Sequence, residues 1–394
     1  MINRIPKVIQ LNEIKCVGDF LKVVGELSPS KGKVFYRGQK NSFYNVSSSL
    51  KRVIDTVNLE PVIIQKMDIT DLTYHEIDVA KYMLASDLFN EFQKKHIIYS
   101  DVNILRGYKM NDMDLHVTAQ HYGLATRVID WSTSPLIALY FATEKNITKK
   151  ESVNDSSVYM IWDAPDNKID ICLSEEFVLK FNEERKVHSQ VYELINDFMV
   201  FVHEENGDYD TPAKNKEIKE VKMKILQCMH NLISGKRLRL HPKLHPANFF
   251  NRRLNNNSVV SLFESFISEG SENYSRPTSS ADLYGDYQTI IEPLPINQRV
   301  KNQQGVLMFT KSIAEDVYTD SDFGEHNTIN KVDDINSLGF KRDLGLYKIN
   351  IPEKYKDKIR KELNSYGFTK EFIYPELMSF TESMQEKIVA EKTR

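Results

Sequence analysis

The spacing of hydrophobic residues predicts helices in the first hundred residues and through the middle of the chain. Residues 11–28 and 71–97 repeat apolar residues every three or four positions, the spacing of an amphipathic helix. The first pattern comprises Leu11, Ile14, Val17, Phe20, Leu21, Val24 and Leu27. The second comprises Tyr74, Ile77, Ala80, Met83, Leu84, Leu88, Phe89 and Phe92. Helical spacing returns over residues 174–235, so helices are expected to dominate the middle.

Short runs of β-branched and aromatic residues predict strands towards both ends of the chain. They are residues 34–39, 157–162, 288–292, 306–309 and 346–351, with a brief strand at 128–129. Because the helical middle separates them, we expect a sheet that joins distant segments. Residues 251–286 contain the run Asn255-Asn256-Asn257 with Ser, Gly and Pro, and one short apolar core, so they are predicted to be a mobile loop or an insertion.

The densest group of polar side chains lies between two apolar segments. Residues 119–143 read AQHYGLATRVIDWSTSPLIALYFAT. A helix is predicted to end at Gly123, and an apolar helix follows from Pro135. Buried polar groups are costly unless they pair with each other or with a ligand. This segment is therefore the first candidate for a functional site.

Composition narrows the class of protein. The 394 residues are 41% hydrophobic and 27% charged, as in ordinary globular proteins. A net charge of −3 argues against a protein dedicated to wrapping nucleic acid. Three scattered cysteines suggest neither a disulfide framework nor a metal set. No signal peptide and no apolar run of about 20 residues is visible, so we expect a cytoplasmic protein that does not enter a membrane.

Two kinds of chemistry are disfavoured by spacing. A triad of Ser132 or Ser134 with His121 and Asp130 has the right residue types, but neither serine lies in a Gly-x-Ser-x-Gly turn. A metal site is improbable, because the pair Asp112 and His116 has no third ligand nearby. The pair His241 and His245 is interrupted by a proline within a basic run, residues 236–245, that is expected to be a solvated loop.

Cleavage of a nucleotide at its glycosidic bond agrees better with the residue types. Displacement of nicotinamide from NAD passes through an oxocarbenium-like transition state. It requires donors for the pyrophosphate, hydroxyls for the ribose, an aromatic wall and usually a carboxylate. The first three are available from Arg37, Gln39, His121, Tyr122, Ser132, Thr133 and Ser134. The acids in or beside the motifs are Asp130, Glu292 and Glu376.

Four motifs together closely resemble the FRG domain. They are FYRGQ at residues 35–39, AQHYGLATRVIDWSTSPLIALYFA at 119–142, RVKNQQG at 299–305 and YPEL at 374–377. The domain is named for its Phe-Arg-Gly element, here Tyr36-Arg37-Gly38. The resemblance extends from near residue 15 to near residue 390.

FRG domains in turn resemble the ADP-ribosyltransferase fold, with an arginine on an early strand and a Ser-Thr-Ser run on a later strand before a helix. The resemblance implies an α+β fold with a split β-sheet core and a large helical insertion or subdomain. The expected parts are an N-terminal half of the core (1–170), the helical insertion and mobile loop (171–286) and a C-terminal half (287–394). In the transferases a glutamate on a late strand supports catalysis, and no glutamate lies in the corresponding run 306–309 here.

The resemblance and the residue types together give two sets of candidate site residues. The predicted catalytic residues are Arg37, His121, Asp130, Ser132 and Gln303. The predicted cofactor-binding residues are Arg37, Gly38, Gln39, Gln120, His121, Tyr122, Arg127, Ser132, Thr133 and Ser134. NAD is expected as a substrate, with no metal.

Three interpretations remain open. One is an NAD-using ADP-ribosyltransferase-like enzyme that acts on a protein or nucleic-acid acceptor as a bacterial or phage toxin or antiviral defence effector. Another is a non-catalytic binder of a nucleotide or a nucleic-acid end. In the third, Arg37, Arg127, Asp130 and the glutamines only brace the core.

Overall fold

The strands of the sheet come from both ends of the chain, as the sequence predicts. The computed structural model describes residues 8–10, 14–59, 74–99, 108–144, 154–204, 212–233, 256–270, 276–284, 287–295, 298–319, 322, 344–376, 381, 384 and 388. The strands are β1 (Val8–Gln10), β2 (Val34–Gln39), β3 (Val128–Ser132), β4 (Ser156–Trp162), β5 (Lys168–Leu173), β6 (Tyr287–Glu292), β7 (Gly305–Phe309) and β8 (Leu346–Ile351). They form one sheet in the order β1-β8-β4-β2-β3-β7-β6-β5.

The sheet divides in its middle. The pair β2–β4 has six residues in register and the pair β3–β7 has five. The neighbours β2 and β3 share a single register pair, Tyr36 with Ser132. Two half-sheets, β1-β8-β4-β2 and β3-β7-β6-β5, therefore meet at one point and separate beyond it.

Helices occupy most of the chain between these strands. The α-helices are α1 (Val17–Leu27), α2 (Ser49–Thr56), α3 (Tyr74–Lys95), α4 (Asp112–His121), α5 (Pro135–Thr143), α6 (Ser174–Glu204), α7 (Pro212–Ile233), α8 (Asn256–Gly270), α9 (Gln298–Asn302), α10 (Lys356–Ser365) and α11 (Lys370–Ile373). Short 3-10 turns lie at His96–Ile98 and Glu353–Tyr355. The mixed α+β class is confirmed.

The apolar helix α5 lies directly on β2, and Gly38 makes this contact possible. A Cβ atom on Gly38 would lie 1.9 Å from the carbonyl oxygen of Ala138 and 2.6 Å from the amide nitrogen of Ala142. The missing side chain of Gly38 therefore admits the helix backbone. The half-sheet with β2 is covered on this face by one core cluster that includes Phe20, Ile137 and Ile349.

On the same face, a second cluster covers the half-sheet with β3. It joins Met113 and Val117 of α4, Phe177 of α6 and Phe309 of β7. Tyr36 and Ser132 are paired in register, so their side chains share one face, and the two clusters flank the division of the sheet. The opposite face packs Phe35, Trp131, Met308 and Tyr318 in a third cluster.

The helices α6, α7 and α8 share a core cluster of their own. It includes Val191, Ile195, Ile218, Ile225 and Phe263, all nearly or fully buried. The structure contains a helix, Asn256–Gly270, where the sequence predicts a mobile loop or insertion, because apolar residues from Val259 to Phe266 recur at helical spacing. The three-part division at residues 170 and 286 stays a prediction. Among the described residues, no helix has the length and apolarity to cross a bilayer.

Candidate functional site

A cleft of about 290 Å³ lies at the division of the sheet. Its volume is near the lower end of the range typical for small-molecule sites, about 300–1,000 Å³. Apolar and backbone surface comes from Tyr36, Gly38, Val117, Trp131, Ala138, Phe141, Pro293, Val300, Gly305, Val306 and Leu307. The polar residues of its wall are Arg37, Lys40, Gln120, His121, Asp130, Ser132, Arg299 and Gln303. Helices α4, α5 and α9 thus border the opening between the half-sheets.

Arg37 bridges the gap between the separating strands. Its Nη1 donates a hydrogen bond to the main-chain carbonyl oxygen of Asp130 at 2.5 Å. Its Nε is enclosed and has no hydrogen-bond acceptor in the part of the chain that the structure describes. Burial lowers the pKa of the Arg37 guanidinium, and the Asp130 carboxylate opposes that shift. An arginine keeps its charge under these conditions, so Arg37 gives the cleft wall a fixed cation.

Asp130 is held by a chain of hydrogen bonds that begins in the core. The Thr126 hydroxyl donates to Gln120 Oε1 at 2.6 Å, and Gln120 Nε2 donates to Asp130 Oδ1 at 2.6 Å. Thr126 is buried, whereas Asp130 is exposed at the cleft. The chain fixes the amide orientation of Gln120 and the direction of the carboxylate, so the cleft contains an oriented acid.

The Ser-Thr-Ser run is joined to the Gln-Gln-Gly turn. Ser132 Oγ donates to the Gln303 carbonyl oxygen at 2.7 Å and accepts from the Ser134 amide at 3.0 Å. The amide of Thr133 donates to the Gln304 carbonyl oxygen at 3.1 Å. Gln304 has a φ of 44°, a left-handed conformation that is uncommon for residues other than glycine. The two motifs therefore hold each other in place beside the cleft.

Ser134 caps helix α5 and does not line the cleft. Its Oγ accepts from the Ile137 amide at 3.5 Å, the geometry of an N-cap. Thr133 is exposed, and its hydroxyl points to Gln304 Oε1 at 3.3 Å. Of the predicted ribose-binding hydroxyls, only Ser132 lies at the cleft.

His121 ends helix α4 at the edge of the cleft. As the sequence predicts, Gly123 terminates the helix, with a φ of 90° and hydrogen bonds from its amide to Gln120 and from Leu124 to Ala119. Burial lowers the pKa of His121, and the charge of Arg299 lowers it further. His121 is therefore mainly neutral at pH 7. Tyr122 packs edge-on against His121 with ring centroids 5.0 Å apart, but lies outside the cleft.

Arg127 lies in the core instead of the cleft. Its side chain is 0% exposed and stacks over the Phe309 ring at 4.2 Å. Its guanidinium donates to the carbonyl oxygens of Thr278, Ala281, Thr310 and Lys311. Those bonds join three segments of the chain and leave Arg127 no role at the cleft, in contrast to the predicted cofactor contact.

Seven of the predicted residues meet at the cleft. They are Arg37, Gly38, Gln120, His121, Asp130, Ser132 and Gln303. Gln39 is buried nearby, and its Nε2 donates to the Asn45 carbonyl oxygen at 3.1 Å. Of the alternative acids, Glu292 pairs with Lys33, and Glu376 lies 3.7 Å from Arg299. Neither of these two acids lines the cleft, so Asp130 is its carboxylate.

The candidate sets omit twelve residues of the cleft wall, and three of these bear on its chemistry. These three are Lys40, Phe141 and Arg299. Lys40 follows the FYRGQ motif directly, and its Nζ lies 3.1 Å from a Glu144 oxygen. Arg299 begins the RVKNQQG motif, so its presence in that motif was the available signal. Phe141 lies in an apolar helix whose sequence does not show which residue faces the opening.

Of the residues considered for metal binding, Asp112 and His116 are described, and His116 is bonded within helix α4. The described part of the chain has no group of three or more His, Cys, Asp or Glu side chains placed to hold a metal ion. His116 Nδ1 donates to the Asp112 carbonyl oxygen at 2.8 Å, and its ring stacks on Phe89 at 3.8 Å. Burial lowers its pKa to about 4. The basic run at 236–245, with both of its histidines, lies outside the described residues.

One family model covers both the Arg37 motif and the Ser-Thr-Ser run. Residues 32–151 match the model of the FRG domain. The match covers 120 of the 394 residues. The predicted FRG resemblance is confirmed over these residues, a shorter span than the motifs suggest. The matched residues include Arg37, His121, Asp130 and Ser132, whereas Arg299 and Gln303 lie beyond them. No curated protein and no solved structure matches the chain.

Proposed function

We propose that the cleft binds a nucleotide, with NAD as the substrate, and that the protein is an ADP-ribosyltransferase-like enzyme. One observation carries this proposal: a fixed cation, Arg37, and an oriented carboxylate, Asp130, lie in the same cleft. A cation can bind the pyrophosphate, and a carboxylate can stabilise the positive charge that develops on the ribose.

The arrangement of the core supports the likeness to ADP-ribosyltransferases. Arg37 lies on an early strand, and Ser132 ends the adjacent strand directly before helix α5. The sheet divides between these two strands, and the cleft occupies the division. These features agree with the split core that the FRG resemblance implies.

The reaction requires little of the protein beyond binding and charge. The bond between C1′ of the ribose and the nicotinamide nitrogen breaks, and its electron pair leaves with nicotinamide. A nucleophile of the acceptor, or water, forms the new bond to C1′ and releases its proton to solvent. Asp130 stabilises the oxocarbenium-like ribose, the role of the late-strand glutamate in the transferases. His121 provides a neutral imidazole at the edge of the cleft.

The proposed setting is a toxin or an antiviral defence effector of a bacterium or phage. This part of the proposal rests on the FRG resemblance and on nothing in the cleft itself. The acceptor would be a protein or a nucleic acid.

Incubation with NAD carrying a label on the adenylate tests the enzyme. The expected result is free nicotinamide, with or without label transfer to added protein or nucleic acid. Asp130→Asn should lower the rate by about 10²–10³-fold, because an amide cannot stabilise the positive charge. The matched control Asp55→Asn removes a surface carboxylate of α2 and should leave the rate unchanged. Neither nicotinamide release nor label transfer under any condition would reject the transferase.

A non-catalytic binder is the second candidate. The observation that favours it is the composition of β7, Gly305–Phe309, which contains no acid. A binder should take up ADP-ribose or a short oligonucleotide in calorimetry and leave NAD intact. Absence of binding at millimolar ligand would count against this candidate.

A further inference from the structure

Arg299 uses fewer of its hydrogen-bond donors than Arg37 and Arg127 do. Arg127 donates to four carbonyl oxygens, and Arg37 donates to one. Within the described residues, the Arg299 side chain makes no hydrogen bond, although it lines the cleft. A guanidinium has five N–H donors in a planar fork that matches phosphate oxygens. The available donors of Arg299 therefore face a space that a ligand can enter.

The guanidinium of Arg299 lies over the ring of Tyr374. The Arg299 Cζ lies 5.0 Å from the centre of that ring, within the range of a cation–π contact. Tyr374 packs edge-on against Phe141, another residue of the cleft wall. Burial raises the pKa of Tyr374, and the nearby Glu144 raises it further, so its hydroxyl stays protonated. Arg299 is thus oriented by a neutral aromatic platform.

The segment that carries Tyr374 is fastened to the Arg299 helix. Asn302 Nδ2 donates to the Phe372 carbonyl oxygen at 2.7 Å, and Gln303 Nε2 donates to the Ile373 carbonyl oxygen at 3.0 Å. Glu376 follows on the same segment, and its Oε1 lies 3.7 Å from Arg299 Nη1. The side chains are 35% and 41% exposed, so this is a loose ion pair without a hydrogen bond.

The charges around the cleft match a phosphate-bearing ligand. Three cations line it, namely Arg37, Lys40 and Arg299, against the single carboxylate of Asp130. Lys40 and Arg299 each have a carboxylate partner outside the wall, Glu144 and Glu376. The Glu376 pair is the looser of the two, so a phosphate oxygen with hydrogen-bond geometry would compete with it well.

We propose that Arg299 binds a phosphate group of the ligand, and that Glu376 pairs with the same guanidinium when no ligand is present. This inference rests on the proposed nucleotide cleft and deepens it, because it makes phosphate a requirement of the ligand. Arg37 on β2 and Arg299 on α9 both line the cleft, and a pyrophosphate would offer an anionic group to each of them.

Calorimetry with ADP-ribose, adenosine and inorganic pyrophosphate tests the inference without any need for turnover. Arg299→Gln should weaken ADP-ribose binding about ten- to a hundredfold, the loss of a charge-assisted hydrogen bond, and leave adenosine binding unchanged. Glu376→Gln should strengthen ADP-ribose binding, by about fivefold at most, because the competing carboxylate is removed. Lys301→Gln is the matched control, since Lys301 is exposed on the same helix and does not line the cleft. Pyrophosphate binding that is sensitive to Arg299→Gln would identify the phosphate as sufficient.

The outcomes separate this inference from the proposed function. If the wild type binds ADP-ribose and Arg299→Gln binds it equally well, the inference is wrong and the nucleotide cleft survives. An equal loss of adenosine and ADP-ribose binding would also overturn it, because that pattern indicates a general change in the cleft. If the wild type binds neither ADP-ribose nor pyrophosphate, both proposals fail. Thermal denaturation of each variant shows whether it is folded.

Discussion

Arg37 donates a hydrogen bond to the main-chain carbonyl oxygen of Asp130 across the division of the sheet, at 2.5 Å. Beyond the pair Tyr36–Ser132, the two strands have no further residues in register. The guanidinium therefore takes the place of a backbone donor between β2 and β3. It joins the half-sheets and presents a charge to the cleft at the same position.

Replacement of Arg37 should therefore affect both binding and stability. Arg37→Gln is expected to weaken ADP-ribose binding at least about tenfold and to lower the free energy of unfolding by about 1.5–3 kcal/mol, the loss of one hydrogen bond from a charged donor. Calorimetry and urea denaturation measure the two effects. If stability falls and affinity does not, Arg37 only braces the core.

Arg127 should behave in the opposite way. Arg127→Met removes a donor from four carbonyl oxygens, of which that of Lys311 keeps its bond from the Leu283 amide. Each acceptor left unpaired costs about 1–3 kcal/mol. We expect a loss of at least about 3 kcal/mol in the free energy of unfolding. The molecules that remain folded should bind ADP-ribose as the wild type does. A stable Arg127→Met protein that cannot bind would restore the predicted cofactor contact.

Gly38 should tolerate no side chain. Gly38→Ala places a methyl group 1.9 Å from the Ala138 carbonyl oxygen, so helix α5 must move away from β2. Overpacking of this kind costs about 1–3 kcal/mol or more, and thermal denaturation should show it. Gly25→Ala is the control, because nothing lies within 4 Å of the added atom in helix α1. The control should gain about 0.5–1 kcal/mol; equal effects in the two variants would contradict the steric account.

His116 should make stability depend on pH. Burial lowers its pKa from 6.5 to about 4, so the unfolded chain binds a proton before the folded chain does. The free energy of unfolding should therefore fall as the pH falls from about 6.5 to about 4, by about 3 kcal/mol in total. His116→Phe keeps the stacking on Phe89 and removes the titrating group. Its urea denaturation midpoint should vary less over this range, whereas an identical slope would exclude His116 as the cause.

The pKa of His121 should report the charges around the cleft. Arg299 lowers its pKa and Asp130 raises it, although burial is the largest cause of the shift. Arg299→Gln should thus raise the pKa of His121, and Asp130→Asn should lower it further. Titration of the histidine ring protons by NMR measures both changes. Shifts in the same direction for the two variants would contradict this arrangement of charges.

The local sequence was sufficient to predict a helix or strand where its apolar residues are buried in the core. The strands β2, β4 and β8 lie close to their predicted limits, because their runs of β-branched and aromatic residues are largely buried. Helix α1 ends close to its predicted limit but begins only at Val17. Helix α2, Ser49–Thr56, has few apolar residues and buries only Leu50 and Ile54, so no pattern indicates it. Strand β5 is largely half-buried and contains Lys168 and Asp170, and it is formed by pairing with β6 from residue 287 onwards.

The sequence also does not show which individual side chains line the site. Arg37 and Arg127 are the same residue type in neighbouring motifs, and only one lines the cleft. The acceptors that fix Arg127 come from residues 278–281 and 310–311, more than 150 positions away. Gly38 is a predicted cofactor contact, and the space left by its missing side chain is occupied by the backbone of helix α5. Partners so distant in sequence leave no local signal.

The order of the strands determines which part of the chain can fold alone. Within residues 32–151, the strands β2 and β3 share one register pair, and their main partners, β4 and β7, begin at Ser156 and Gly305. In an excised fragment of these residues, β2 and β3 would each lack a main partner strand, and few contacts between nearby residues would favour folding. On the ribosome, β4 reaches its second neighbour only after residue 351 has been made. We therefore expect the residues that match the FRG model to need strands from the rest of the chain in order to fold.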